Sequence, residues 1–399
     1  MSSSFLRTAL VLGLLSAVGP FAIDMYLPAL PDIGLGLGAS ASVVQGTITS
    51  YFLAFGLAQL VYGPWADQAG RKLPIYVGLV IFLIGSVLCT VAPSASFLIA
   101  GRFVQGLGGA AVMVVPRAVI RDLHTGHEAT RLMAAIMLVI SISPFLAPLA
   151  GAGLLQISGW RAIFAVLAVT ALISLVITKG LLPETLPIAA RQPVSLSAMR
   201  LGMAKLLRHR GFMALTFLGG FGIASFFVFI AQASFVYTQS FGLTPVQFSL
   251  AFALNAVGFF ASSQFAAKLG MRYGAMAVMV RASTGFGLFT IAMFFVGFSG
   301  HATLPITMVG LFCGNACLGL VIPTAMVMAL EEHGEIAGLA SSLGGTLQML
   351  AGGLMVAISA PFFDGSVLPM LAAIAVCGTI TLLLAMVVAR HPVPSANRA

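Results

Sequence analysis

Twelve runs of about 20 residues, each nearly free of charged side chains, recur along this chain, and that single feature restricts its backbone to membrane-spanning helices. Lipid has no water to satisfy peptide N–H and C=O groups, so a spanning segment must bond to itself as a helix or close into a barrel. The runs cover approximately residues 6–30, 43–63, 74–92, 96–116, 133–156, 161–182, 212–236, 246–268, 275–298, 303–323, 337–360 and 367–389. Charged residues make up 7% of the 399 positions and apolar ones 60%, whereas a soluble domain carries about 25% charge. A soluble α-solenoid would need charged outer faces. The first run has Arg7 ahead of an apolar stretch, as a secretory signal does, but its length, its internal Asp24 and the spans behind it indicate that it stays. The expectation is an all-α membrane protein of twelve transmembrane helices.

Basic residues orient the chain. With the N-terminus inside, Arg7, Arg71, Lys72, Arg117, Arg121, Arg131, Lys179, Arg191, Arg200, Lys205, Arg208, Arg210, Lys268, Arg272, Arg281, Arg390 and Arg398 fall on the cytoplasmic side, leaving only Arg161 outside and Arg102 within the fourth span. Both termini are therefore expected inside. This dispersal over short loops explains the net charge of +9 as a topology signal and argues against nucleic-acid binding.

Asp24 is the acid that falls inside an apolar run. A carboxylate there costs roughly 2.5–3.5 kcal/mol on insertion scales unless it faces water or a partner, so it marks an ion or substrate path. Arg102 lies at a similar depth, roughly 10 Å from the outer end at ~1.5 Å rise per residue, which suggests direct or water-mediated coupling. Cys89, Cys313, Cys317 and Cys377 all fall in spans, and His124, His127, His209, His301, His333 and His391 in or beside loops. Neither pattern calls for a metal or another cofactor. Glu331, Glu332 and Glu335 read as solvated loop charges.

The longest polar segment, 184–210, divides the chain into an N-terminal six-helix half, 1–183, and a C-terminal one, 211–399. Paired, pseudo-symmetric halves are a transporter architecture with sites near the bilayer midplane. The halves differ chemically: Asp24 and Arg102 belong to the first, while nine Phe precede residue 184 and 21 follow it. A proton-handling half and an aromatic half are inferred.

Gly63-Pro64-Trp65-Ala66-Asp67-Gln68-Ala69-Gly70-Arg71-Lys72 lies between spans two and three. Its glycines permit a turn and close helix approach, Asp67 is placed to meet a helix N-terminus, and Arg71 and Lys72 can pair with acids of neighbouring helices. The segment resembles motif A of the major facilitator superfamily, a gate on the inner side, with Gln68 where a basic residue is usual. Arg102-Phe103-Val104-Gln105-Gly106-Leu107-Gly108-Gly109 is similar to motif B, and Ala147-Pro148-Leu149-Ala150-Gly151 to part of motif C, the mark of drug/proton antiporters. Asp24-Met25-Tyr26-Leu27-Pro28, Gly159-Trp160-Arg161, Arg117 through Asp122, Leu182-Pro183-Glu184-Thr185 and Ala340-Ser341-Ser342-Leu343 narrow the resemblance to the Bcr/CflA group of drug exporters.

That resemblance implies a polytopic bacterial inner-membrane protein of the major facilitator fold, not an enzyme, which exports chloramphenicol-type, bicyclomycin-type and other amphiphilic drugs in exchange for protons by alternating access. Asp24 would carry the proton, with Arg102 biasing it. Met25 and Tyr26 beside Asp24, and Phe229, Gln232 and Gln348 in the second half, are the candidate drug contacts, with Phe229 expected to share a face with Gln232. A monomer in the lipid bilayer is expected. The nearest alternative is the same fold working as a proton symporter or an exporter of a sugar or amino acid.

Overall fold

The computed structural model describes residues 3–124, 126–191, 195–331 and 333–390. Glu332, His391 and Arg398 lie outside them. Among the described residues the chain is helical without a strand. Two compact units divide at Leu196 and Ser197. The first holds α1 (Ser3–Asp24), α2 (Leu30–Leu37), α3 (Ala41–Ala69), α4 (Lys72–Thr90), α5 (Ala95–Leu123), α6 (Gly126–Ser158) and α7 (Trp160–Leu181). After α8 (Leu196–Arg208), the second holds α9 (Arg210–Phe235), α10 (Pro245–Ser263), α11 (Ala266–Tyr273), α12 (Ala275–Phe298), α13 (Leu304–Glu331), α14 (Ala337–Ser359) and α15 (Val367–Arg390). A π-helical turn, Val236–Ser240, prolongs α9.

Twelve segments are long and apolar enough to cross a membrane. Several outrun their apolar cores: α3 passes Pro64 to reach Ala69, α5 passes Pro116 to reach Leu123, and α13 passes Pro323 to reach Glu331. A helix satisfies its own backbone in lipid or water, so polar residues beyond the apolar stretch continue it until a breaker intervenes. The first span is the opposite case. It is interrupted after Asp24, because Pro28 has no N–H for the carbonyl four residues back and disfavours helix at Leu27. A short 3-10 turn, Leu27–Ala29, then leads into α2. The span as a whole runs to Leu37 and takes in Asp32, which is exposed, so Asp24 is not the only acid of its segment but is the buried one.

Within the first unit, α5 packs along both α3 and α4. Its small residues allow this: a Cβ on Gly106 would press into the backbone of Tyr51 and the side chain of Ala54 on α3, and one on Gly108 into the backbone of α4 at Phe82. Small residues at helix crossings are how membrane helices gain packing without a hydrophobic drive between them. Ser40 and Ser94 cap α3 and α5 by accepting from Val43 N–H at 3.4 Å and Phe97 N–H at 3.3 Å, which satisfies donors that the first helical turn leaves open. In the second unit α9 is the hub, in contact with α13, α14 and α15.

Gly106→Val is expected to cost on the order of 1–3 kcal/mol through overpacking against Tyr51. Gly153→Ala, where a side chain meets nothing within 4 Å, should leave stability unchanged or slightly raised. Thermal midpoints of the detergent-solubilised variants check the contrast; equal midpoints would mean that α3 and α5 do not need this approach.

Candidate functional site

Asp24 ends α1 and is 6% exposed. Its Oδ2 accepts from Ser143 Oγ of α6 at 3.3 Å. Two features of α6 bring Ser143 there. Pro144 and Pro148 lie inside the helix, and Gly151 faces the Met25 carbonyl so closely that a Cβ would overlap it. Pro148 and Gly151, the matching residues of motif C, thus serve to seat α6 against the interruption of the first span.

Arg102, 1% exposed, does not pair with Asp24. Among the described residues no ion pair involves either. Its Nη1 donates to the Ala22 carbonyl at 3.0 Å and to Gln105 Oε1, and its guanidinium lies 4.3 Å from the ring centroids of both Tyr26 and Tyr51. Each such contact, when desolvated, contributes on the order of 2 kcal/mol. Gln105 is held in turn by donating to Ser86 Oγ at 2.8 Å, and Ser86 donates to the Phe82 carbonyl at 2.8 Å. Of the direct or water-mediated coupling expected, the direct ion pair is therefore not found among the described residues. Arg102 caps the last turn of α1, where carbonyls lack helical partners, and a cation there suits the negative end of the helix dipole.

Tyr26 and Met25 are fully or nearly buried and offer no free face for a drug. The Thr47 hydroxyl donates to the Val44 carbonyl at 2.6 Å, so the Tyr26 hydroxyl is the donor in its 3.2 Å bond to Thr47. Tyr26 instead forms one wall of the cradle around Arg102, and Met25 presents its carbonyl to Gly151.

At the other end of the unit, Arg71 joins three segments. It donates to Asp67 at 2.6 Å and to Asp122 of α5 at 2.7 and 3.1 Å. Thr185 Oγ1 donates to the same Asp122 at 2.9 Å. Asp67 was expected to meet a helix N-terminus; it pairs with Arg71, and the acid on the N-terminus of α4 is Glu184, which accepts from Arg71 N–H at 2.8 Å and Lys72 N–H at 3.2 Å. Burial alone would raise the Glu184 carboxyl, but these N–H groups and those of Leu186 and Thr185 outweigh it and hold it below the ordinary range. Gly70 makes the turn with φ +93°, and its missing side chain leaves room for Glu184 and Arg191. Gly63 plays no such part, since α3 runs straight through it. The Lys72 ammonium lies 5.8 Å from the Tyr76 ring centroid, and Gln68 is exposed.

In the second unit Gln232 donates to Ser359 Oγ of α14 at 3.1 Å, which makes it a link between helices. Phe229 turns instead to α10, stacking on Phe252 at 5.7 Å and 4°. The shared face expected of the two is not found; the 60° that separates positions three apart on a helix is enough to send them to different neighbours. Gln348, half-buried, packs on Gly219 and Gly220 of α9. His333, expected in or beside a loop, is 6% exposed with its ring 4.8 Å from that of His209, and His209 Nδ1 caps α9 by accepting from Phe212 N–H at 3.0 Å. Glu331 and Glu335 are exposed.

The first unit thus combines helices long enough to cross a membrane, a buried acid at a broken first span and a charged cluster at one end. The family model described as Major Facilitator Superfamily matches residues 12–356, and the chain belongs to that superfamily. It is 31% identical over 360 residues to the uncharacterized MFS-type transporter YdgK of Bacillus subtilis (strain 168), covering 88% of this chain and 87% of that one. Over 379 residues it is 30% identical to a bicyclomycin resistance protein homolog of Haemophilus influenzae, with 94% of each chain covered. The crystal structure of a D-xylose-proton symporter shares the fold, with a TM-score of 0.73 at 16% identity over 99% of this chain and 98% of that one. The chain is thus a multi-pass membrane transporter, not an enzyme, and its likeness to the drug-resistance branch of the superfamily holds.

Arg102→Lys is expected to keep the bond to Ala22 but lose the flat stacking between two tyrosine rings, because an ammonium is a point charge on a flexible stem. Its thermal midpoint should fall between those of the wild type and Arg102→Ala; a midpoint for Lys equal to that of Ala would mean that the carbonyl bond contributes nothing. Glu184→Ala should speed amide exchange at Arg71 and Lys72 at pH 7. In the wild type the Glu184 carboxyl is lower in the folded state than its ordinary value of 4.5, so the cap is complete above that value and is lost only as pH falls through the lower folded one. Exchange protection that is unchanged in the variant at pH 7 would show that the cap is not formed in the working protein.

Proposed function

We propose that this protein exports amphiphilic drugs from the bacterial cytoplasm in exchange for protons, with Asp24 as the proton carrier. The observation that carries the reading is a buried carboxylate whose recorded polar partner is one serine hydroxyl, while the nearby cation is held elsewhere. A lone charged carboxylate in that setting is costly, and a proton removes the cost. Arg102 then acts by holding the end of α1, so that gaining or losing a proton at Asp24 changes the electrostatic balance at the interruption of the span without breaking an ion pair. The likeness to a bicyclomycin resistance protein homolog supports a drug as cargo. The basic residues of the loops support an inner-membrane orientation with both termini cytoplasmic, and a monomer supplies every group invoked. The cluster of Asp67, Arg71, Asp122 and Glu184 is the latch on the cytoplasmic side of an alternating-access cycle, locked when Arg71 bridges both aspartates.

Asp24→Asn is expected to abolish drug-driven proton movement in proteoliposomes while the protein remains folded, because Asn fills the same volume and cannot titrate. Loss of at least 10-fold in drug-dependent pH change, with an unaltered gel-filtration profile, is the expected result. Wild-type proton movement in the Asn variant would refute the assignment of Asp24, and drug resistance conferred by neither protein would remove the export reading altogether.

A further inference from the structure

Asn315 on α13 is 8% exposed, and among the described residues it makes no hydrogen bond. Its polar neighbours are engaged: Thr290 donates to the Phe286 and Gly287 carbonyls, and Ser225 to the Gly222 carbonyl. Elsewhere in the unit Asn255 donates to the Ala251 carbonyl and Gln232 to Ser359. Asn315 lines a cleft with Phe229, Phe286, Met293, Leu311 and Ile374, drawn from α9, α12, α13 and α15. An amide has two donors and an acceptor, and a buried polar side chain with no partner in an apolar cleft calls for one.

We infer that Asn315 is the hydrogen-bonding anchor of a binding subsite inside the second unit, which takes a flat aryl group carrying an amide or carbonyl. The inference rests on the drug-export reading and adds the chemistry of the cargo to it. Phe229 and Phe286 supply ring faces and edges for an aryl group, and a single amide fixes its orientation, the usual division between area and specificity in a ligand pocket. The space between these walls, mouth included, is about 340 Å³. In this conformation it has room for little more than water, and Met293 decides how much more. Its thioether lies against Gly310, where there is no side chain to hold it, and a Met side chain changes rotamer at small cost.

The test uses the full-length protein in detergent, with radiolabelled chloramphenicol, a nitroaryl amide, and tetraphenylphosphonium, an aryl cation without hydrogen-bonding groups. Asn315→Leu should shift the ratio of the two Kd values about 10-fold against chloramphenicol, and Asn315→Gln should restore part of it. An unchanged ratio in Asn315→Leu, or a parallel loss of both probes together with a lowered thermal midpoint, would overturn the subsite and leave Asn315 as packing or as the partner of a buried water. Wild-type protein that binds neither probe would remove the drug reading on which the subsite rests; wild-type binding with an unchanged ratio would remove the subsite alone.

Discussion

The first unit is organised around a buried guanidinium that caps a helix. Arg102 reaches from α5 to the Ala22 carbonyl on α1, 3.0 Å away, with a tyrosine ring on either side. An unpaired cation in a membrane interior is expensive, and simple insertion scales put its cost near 3 kcal/mol. Two aromatic faces, a carbonyl and the Gln105 amide offset that cost without a carboxylate. The consequence reaches Asp24, two residues further on. Among the described residues it has no salt bridge, and its recorded side-chain bond is the one from Ser143.

The same economy of groups appears at the opposite end of the unit, with different chemistry. Arg71 is shared by Asp67 and Asp122, Asp122 is shared by Arg71 and Thr185, and Glu184 takes the free N–H groups that open α4. Segments far apart in the chain meet there: the loop after α3, the end of α5 and the loop after α7. A helix N-terminus carries about half a unit of positive charge, so Glu184 gains from the backbone N–H groups it accepts from. Arg71 is buried, and only 14% of the Asp122 side chain is exposed against 56% of Asp67, so the bond to Asp122 is the better shielded of the two and the one to Asp67 the weaker.

In the second unit the surplus of phenylalanine has a structural use. Phe226 stacks on Phe259, Phe229 on Phe252, and Tyr237 meets Phe248 edge-on, so that α9 and α10 are joined by a seam of rings. Aromatic pairs add roughly 0.5–1.5 kcal/mol beyond their buried area, a useful increment where lipid removes the ordinary hydrophobic drive. Much of the aromatic skew therefore belongs to packing, and Phe229 and Phe286 are the rings that border the cleft at Asn315.

The residue pattern by itself determined the membrane setting, the twelve spans and the residues worth attention, because lipid forces the backbone into helices and makes each buried charge conspicuous. Glu184 stood out only as part of a stretch similar to a family's, whereas Asp24, Arg102 and Arg71 were legible as chemistry. Their partners were not. Depth along a span placed Arg102 beside Asp24, but only the packing of α5 against α1 decided that it binds a backbone carbonyl instead, since carbonyls leave no mark in a sequence. Asp67 does not meet the helix N-terminus expected of it, and Glu184 takes that place, for a related reason: which acid reaches an open helix end depends on where a distant loop returns. Phe229 and Gln232 parted because helical spacing states the angle between two side chains, whereas the neighbouring helices decide what lies at each angle.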